Sequence, residues 1–140
     1  MTLRLTFCLA LTILSGGCGG GAPPISGPAR QGVSGTVTFN GEPVEGGSIA
    51  FVGQSAELRN CGAPITEGKY ALTRENGPNV GKYTVQIRWQ RPLGKKVKNL
   101  DTGKEEETSV EVIPKKYNDS SNETVEIQSG SNTFDFAITK

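Results

Sequence analysis

The sequence predicts an all-β fold, an antiparallel β-sandwich of about seven strands, and two observations carry this prediction. From Gly32 onward, apolar residues recur at every second position, which is typical of strands that bury one face. Turn-forming residues separate these runs, among the 19 Gly and 8 Pro of the 140-residue chain, and no segment has the apolar spacing of a helix. Because so many half-buried strands cannot cover their apolar faces in one open sheet, we expect two sheets packed face to face.

The predicted strands follow one another along the chain and are separated by short turns. Asn40-Gly41 directly follows the first strand, and this pair supplies the positive φ angles of a tight hairpin turn at little steric cost. The inward-facing residues of the predicted strands are, in order, Val33, Val37 and Phe39; Ile49 and Phe51; Tyr70 and Leu72; Tyr83, Val85, Ile87 and Trp89; Val110 and Val112; Val125 and Ile127; and Phe134, Phe136 and Ile138.

Two tyrosines, Tyr70 and Tyr83, each stand two residues after a glycine that ends a turn. We expect both rings to pack in the core, with each hydroxyl reaching a polar group near the edge of the sandwich. Their alternative role as ligand contacts is the weaker interpretation, since core packing alone accounts for the pattern.

The N-terminal segment, residues 1–17, has the layout of an export signal. One basic residue, Arg4, precedes the apolar run Leu5–Leu14, and small residues follow. The apolar run is too short for a permanent membrane span, which needs roughly 20 residues. We therefore expect residues 1–17 to be removed after targeting.

The residues that follow predict a membrane anchor. Leu14–Cys18 (LSGGC) resembles a bacterial lipobox, and this resemblance implies that Cys18 carries the lipid. The alternative is an ordinary secretory signal followed by a structural Cys. The stretch 18–31 is rich in Gly and Pro and predicts a flexible tether, and residues 32–140 form the sandwich domain. If Cys18 is lipidated, the resemblance implies that Gly19, which stands in place of an inner-membrane retention Asp, favours the outer membrane of a two-membrane cell, facing the periplasm or the cell surface.

Cys61 has two predicted states. If Cys18 is lipidated and Cys8 leaves with the signal, Cys61 is unpaired and acts as a buried small residue. The competing prediction is a disulfide between Cys18 and Cys61.

Several segments resemble the carboxypeptidase regulatory-like domains. The opening match is Val33–Val44 (VSGTVTFNGEPV) with Gly47–Phe51 (GSIAF), and later matches are Gly68–Leu72 (GKYAL) and Gly81–Val85 (GKYTV). The closing stretch, from residue 113 to residue 136, looks like a version found in small bacterial lipoproteins. The resemblance covers roughly residues 32–139 and implies a transthyretin-like, immunoglobulin-like sandwich, a scaffold more than an activity.

Composition argues against most kinds of catalysis and against nucleic acid. The chain has no His, which removes histidine-dependent nucleophiles and histidine-ligated zinc, and no cofactor or metal site is expected. Its 15 Lys+Arg against 14 Asp+Glu leave no surplus charge for phosphate backbones. Glu111, Glu126 and Asp135 are expected on a solvated sheet face, paired with Arg88 or lysines. A carboxylate-based small hydrolase remains the alternative to a non-catalytic binding or structural module of the cell envelope.

Two regions are candidates for partner binding. Tyr117 is the one aromatic residue of the predicted domain outside the inward stripe, so a carbohydrate-binding module would rest on a single ring. The segment 91–108 is charge-segregated and too long for a simple hairpin, and its simplest interpretation is a solvated, mobile loop. The alternative is a surface for an anionic lipid or envelope polymer, with the candidate contacts Lys95, Lys96, Lys98, Lys115, Lys116 and Tyr117.

Overall fold

The computed structural model describes residues 29–140 and shows an all-β, sandwich-like fold, which confirms the predicted fold class. Residues 1–28, which include the predicted signal and Cys18, lie outside the described residues. The described part contains eleven strands and one short 3-10 helix, Lys115–Tyr117. The strands are β1 Gly32–Phe39, β2 Glu42–Pro43, β3 Gly46–Gly53, β4 Cys61–Thr66, β5 Lys69–Leu72, β6 Gly81–Arg88, β7 Gln90–Lys98, β8 Glu105–Glu111, β9 Thr124–Ile127, β10 Ser131–Thr133 and β11 Phe136–Ile138.

The strands divide into one large sheet and one separate pair. In the large sheet the order is β10-β1-β5-β4-β3-β6-β9, and β2 and β11 also pair with β1. β7 and β8 form a two-stranded sheet of their own. Most neighbours are antiparallel, as the sequence predicts, but β1 runs parallel to both β10 and β11. The strand count exceeds the predicted seven because the sequence did not predict β2, β4, β7 and β10.

β1 organises one side of the sandwich because different partners share its length. Its first residues pair with β10, its last residues pair with β11, and β5 lies along its other edge. The chain crosses from β10 to β11 beside Gly35, where an added Cβ would lie 1.8 Å from the carbonyl oxygen of Phe134. Asp135 secures this crossing, since its Oδ1 accepts hydrogen bonds of 2.8 Å from both the backbone N–H and the hydroxyl of Thr36.

The core contains the inward residues of nearly every predicted strand. Tyr83, Phe51 and Val85 are fully buried, and Trp89 is 9% exposed. Phe134 and Phe136 are only partly buried and pack against this core from one side. The period-two alternation therefore predicted the buried face correctly through β6 and failed mainly at Val110, which is 45% exposed.

Both tyrosine predictions are confirmed for the rings and for the hydroxyls. The Tyr70 hydroxyl donates to the carbonyl of Phe134 at 2.8 Å, and the Tyr83 hydroxyl accepts from the backbone N–H of Asn79 at 3.0 Å. Each ring is at most 3% exposed. These hydrogen bonds hold the segments around Phe134 and Asn79 against the core, and neither tyrosine ring is free to contact a ligand.

The predicted Asn-Gly turn is present. Asn40 and Gly41 have φ angles of 51° and 87°, the left-handed conformations that a tight hairpin turn needs. A second turn of the same kind joins β4 to β5 at Glu67-Gly68, with φ angles of 51° and 73°. The sequence did not mark this second turn because Glu seldom adopts a positive φ.

The domain begins slightly before its predicted start. Gln31, assigned by the sequence to the tether, is 2% exposed, and its side-chain Oε1 accepts a hydrogen bond from the N–H of Gly130 at 2.9 Å. Arg30 forms a β-bridge with Asn79. Backbone and amide groups can thus fix a segment that has almost no apolar side chains to bury.

Candidate functional site

The strongest candidate site is the hairpin formed by β7 and β8, residues 90–111, which we call the arm. All nine residues of β7 and five of the seven residues of β8 are exposed. Within residues 29–140, these two strands pair with each other and with no other strand. The prediction of a loop over residues 91–108 is wrong, because its solvated residues form an antiparallel strand pair, with a register shift between Pro92 and Lys96. At about 3.3 Å a residue, the arm extends roughly 30 Å from the sandwich.

The arm has an ordered tip that the sequence could have revealed. The Oδ1 of Asn99 accepts hydrogen bonds from the N–H groups of Asp101 and Thr102, at 2.9 and 3.2 Å. The backbone of Asn99 closes the turn with Lys104 and Gly103, and Gly103 has a φ of 70°. The residues Asn99–Gly103 thus form a turn whose Asn and Gly are typical turn residues. The sequence did not predict a hairpin here because the residues on either side of the turn lack apolar alternation.

The two strands of the arm carry opposite charges. β7 has four basic residues and no acid (Arg91, Lys95, Lys96 and Lys98), whereas β8 has four acidic residues and no base (Glu105, Glu106, Glu107 and Glu111). The register places Lys96 opposite Glu107 and Lys98 opposite Glu105. Lys95, Lys96 and Lys98 therefore lie on one exposed strand, and Lys96 and Lys98 each face an acidic residue of β8 instead of forming an isolated basic patch.

The arm also carries most of the exposed apolar side chains. Of the five large exposed hydrophobic residues among residues 29–140, four lie between residues 90 and 111, namely Leu93, Val97, Leu100 and Val110. The fifth is Val80, on the body of the sandwich and 42% exposed. Val110 was expected to face the core, but it lies on the part of β8 that extends beyond the sandwich.

Glu111 fixes the arm to the sandwich. Its Oε1 accepts hydrogen bonds from the backbone N–H groups of Trp89 and Ile113, at 2.9 and 3.0 Å. Its Oε2 is buried and has no hydrogen-bond partner among the described residues. The expectation of a solvated Glu111 is wrong, because the carboxylate satisfies two N–H groups at the point where β6 passes into β7.

A pocket of about 490 Å³ opens at the base of the arm, lined by Glu42, Pro43, Glu45, Glu67, Trp89 and Arg91. The guanidinium of Arg91 lies over the Trp89 ring, 4.5 Å from its centroid. The indole face that a sugar would stack on is therefore already covered. This arrangement gives no support to a carbohydrate-binding module at Trp89.

The remaining predicted contact residues lie apart from the arm strands. Lys115, Lys116 and Tyr117 form the short 3-10 helix, which packs against β6. Tyr117 was expected to be free in a polar loop, but it is partly buried against the core, and the Lys116 ammonium lies 5.1 Å from its ring centroid. Lys98 stands about 25 Å along β7 from Gln90, at the far end of the arm. The structure does not join the six predicted residues into one surface.

The acids proposed for catalysis are spread over the molecule. Glu126 is exposed on β9 opposite Lys82, whereas Asp135 is held by Thr36 at the other end of the sheet order. Of these acids, Asp135 lines a pocket of about 120 Å³ together with Glu123. Across residues 29–140, no three acidic or Cys side chains lie close enough together to hold a metal ion.

Arg88, predicted to pair with one of those three acids, has a different partner. Its guanidinium forms an exposed ion pair with the carboxylate of Asp119, which follows the 3-10 helix. This contact ties the segment after the arm to β6. Exposed pairs of this kind contribute little to stability.

Cys61 is a free thiol at the start of β4, half-buried in the sandwich. Burial raises the pKa of this thiol to about 11, although the positive charges of Arg59 and Arg30 act in the opposite direction. Such a thiol is a poor nucleophile at neutral pH. Cys18, the partner in the predicted disulfide, lies outside the described residues, so that pairing stays a prediction.

Comparison with known proteins adds no identification. Residues 29–140 contain no helix with the length and apolar character that crossing a bilayer requires. The chain matches no family model and no curated protein.

Proposed function

We propose that this protein is an exported, lipid-anchored module of the bacterial cell envelope that presents the arm to a partner. The observation that carries the proposal is the arm itself, a charged and partly apolar hairpin that projects from a sandwich whose core is complete without it. Binding segments commonly stand on a rigid scaffold in this way.

The anchor is the part of the proposal that rests on the sequence. The export-signal layout and the LSGGC segment that ends at Cys18 support removal of residues 1–17 and lipidation of Cys18. Acyl chains hold a protein firmly because each buried CH₂ contributes about 0.8 kcal/mol. We place the mature protein at the outer membrane, facing the periplasm or the cell surface, on the basis of Gly19 alone.

The scaffold is proposed to be of the carboxypeptidase regulatory-like type. The all-β fold is consistent with that resemblance, and the Gly-Lys-Tyr segments have the buried tyrosines that such a scaffold would use. In this proposal the sandwich is non-catalytic and serves to position the arm.

A carboxylate-based hydrolase has less support. It would need two carboxylates free to act as acid and base. Glu123 and Asp135 share a pocket, but Oδ1 of Asp135 already accepts two hydrogen bonds from Thr36. Asp135 is therefore better explained as a structural contact between β1 and the crossing that precedes β11.

The anchor is tested by expressing the full chain in a two-membrane bacterium and measuring its partition into a detergent that separates on warming. The wild-type chain should enter the detergent phase and remain with membranes after high-salt washing, whereas Cys18→Ser should lose both properties. Cys61→Ser is the matched control and should behave as wild type. Detergent partition that is unchanged in Cys18→Ser would overturn the anchor.

A further inference from the structure

We propose that Arg91 and the acidic pocket at the base of the arm form an electrostatic latch, which sets the direction in which the arm projects and opens as ionic strength rises. The latch goes beyond the proposed function, because it requires neither the anchor nor a partner. It explains how a hairpin that pairs with no other strand within residues 29–140 keeps one orientation on the sandwich.

The pocket lies between the arm and the sandwich. Arg91, on β7, forms one side of it, and Trp89, which follows β6, forms another. The other lining residues all belong to the sandwich: Glu42, Pro43, Glu45 and Glu67. A change in the direction of the arm therefore moves Arg91 relative to these residues.

Backbone hydrogen bonds hold the sandwich side of the pocket in place. The N–H of Glu67 donates to the carbonyl of Glu45 at 3.3 Å, and the N–H of Gly68 donates to the carbonyl of Val44 at 2.7 Å. Val44 is fully buried in the core. Glu45 and Glu67 thus stand on a rim that the core fixes, and movement at the pocket belongs to the arm.

The charges of the pocket favour a cation at this place. The carboxylates of Glu42, Glu45 and Glu67 line it, and Arg91 is its one basic residue. Carboxylates that share a pocket repel one another, and a nearby positive charge relieves the repulsion. Within residues 29–140, no direct ion pair joins Arg91 to any of the three. The guanidinium is therefore attracted by the pocket as a whole and is not held by one carboxylate.

The indole ring of Trp89 gives Arg91 a defined position in the pocket. The central carbon of the guanidinium lies 4.5 Å from the ring centroid, within the range in which an aromatic face attracts a cation. A planar guanidinium stacks on such a ring, whereas the ammonium group of a lysine does not. Since Trp89 is only 9% exposed, the ring itself is fixed by the core.

Arg91 and Glu111 hold the arm on opposite faces. Glu111 pairs with Gln90, so its side chain lies on the face of the arm that Arg91 does not occupy. Attachment at Glu111 alone would fix where the arm begins but would leave it free to tilt about that point. Attachment of Arg91 on the other face opposes this tilt. The two contacts together set one direction for the arm.

The two attachments respond differently to salt. Glu111 accepts its hydrogen bonds from backbone N–H groups, and its Oε2 is buried, so salt screens this contact little. The three carboxylates that face Arg91 belong to exposed residues. At about 1 M salt the Debye length falls to about 3 Å, and most of their attraction for Arg91 is screened. High salt should therefore let the arm tilt about Glu111.

The test is the distribution of distances between the arm and the body, measured by pulsed electron paramagnetic resonance on the full chain in detergent micelles. Leu100, at the tip of the arm, and Thr124, exposed on β9, are each replaced by a ketone-bearing amino acid that takes the spin label, so every cysteine stays in place. We expect a narrow distribution at about 10 mM salt and one about twice as wide at about 1 M salt.

Variants of the pocket separate the latch from a general effect of salt. Arg91→Gln should give the wide distribution at both salt concentrations, because the attraction to the pocket is lost. Arg91→Lys keeps the charge without the stacked plane and should have an intermediate width at low salt. Glu45→Gln combined with Glu67→Gln should behave as Arg91→Gln does. Lys95→Gln is the matched control, since it removes a positive charge of β7 outside the pocket, and it should match wild type.

Three results would overturn the latch. The first is a wild-type distribution that has the same width at both salt concentrations. The second is an Arg91→Gln distribution as narrow as that of wild type, which would assign the direction of the arm to Glu111 alone. The third is a Lys95→Gln distribution as wide as that of Arg91→Gln, which would show a general effect of charge on the arm instead of a role of the pocket.

Discussion

At the scale of single residues, Glu111 shows how a polar side chain can define where a domain ends. Trp89 lies between β6 and β7, where strand pairing is interrupted. The Glu111 carboxylate accepts the hydrogen bond from the N–H of Trp89 that a neighbouring strand would otherwise accept. Because the carboxylate also accepts the N–H of Ile113, one side chain fixes both strands of the arm to the body. Buried N–H groups that lose their acceptor carry a desolvation cost.

Glu111→Ala is expected to lower the free energy of unfolding by about 2–3 kcal/mol, because hydrogen bonds to a charged acceptor are among the stronger ones. Urea unfolding measures the change. Glu126→Ala, which removes an exposed carboxylate on β9, is the control and should stay within about 0.5 kcal/mol of wild type. Equal effects of the two substitutions would show that Glu111 does not fix the arm.

Gly35 is a second residue whose role depends on close approach. Its Cα faces the carbonyl of Phe134, the same oxygen that accepts the Tyr70 hydroxyl. A side chain at this position would displace the crossing between β10 and β11, and the buried hydrogen bond of Tyr70 with it.

Gly35→Ala should therefore destabilise the fold by about 1–3 kcal/mol, the usual cost of overpacking. Gly46→Ala is the matched control, since an added Cβ at Gly46 meets no atom within 4 Å. The two variants are compared by thermal unfolding. A Gly35→Ala protein that unfolds at the wild-type temperature would contradict the packing described for the crossing.

At the scale of elements, the sequence predicts those strands whose side chains alternate between core and solvent. β3 and β6 were predicted from their alternation because every second residue is buried. β7 and most of β8 were not predicted because neither strand packs on a core, so exposed and mostly charged or polar residues occupy both faces. The role of Glu111 was not predicted for a related reason. Alternation along a strand shows which face a side chain lies on, but it does not show that backbone N–H groups nearby lack a partner strand.

The arm should be removable without loss of the sandwich. Replacing residues 94–107 by Asn-Gly leaves a two-residue turn between Leu93 and Thr108, close to the body. We expect urea unfolding to show a change within about 1 kcal/mol, as for surface changes away from the core.

Ile87→Ala provides the contrasting measurement, because it empties a fully buried site and should cost about 2–5 kcal/mol. If shortening the arm destabilised the protein as much as Ile87→Ala does, the arm would belong to the folding core and not to an interaction surface.

At the scale of the whole molecule, buried phenol and thiol groups make the free energy of unfolding fall at alkaline pH. Burial, and secondarily the negative charge of Asp135, raises the pKa of Tyr70 above its ordinary value of 10.0. Burial also raises the pKa of Tyr83, although its hydrogen bond from Asn79 acts in the opposite direction. In the folded state these phenols stay protonated at a pH where the unfolded chain ionises. Their contribution to stability is therefore complete below pH 10 and is lost progressively above it.

The free energy of unfolding should accordingly fall as pH rises above 10, with a slope that approaches about 1.4 kcal/mol per pH unit for each such group. Cys61 adds to the fall between its ordinary pKa of 9.0 and about 11. Tyr70→Phe should flatten the slope above pH 10 while lowering stability at neutral pH through the lost hydrogen bond to Phe134. Parallel curves for Tyr70→Phe and wild type would exclude Tyr70 as a source of the pH dependence.

The division of the molecule into a self-sufficient sandwich and an arm that projects from it is tested most directly by amide hydrogen exchange of the full chain. Amides of β6 should be strongly protected, whereas amides of β7 and β8 should exchange much faster, because within residues 29–140 these two strands pair only with each other. Arm amides that are protected as strongly as those of β6 would contradict this division.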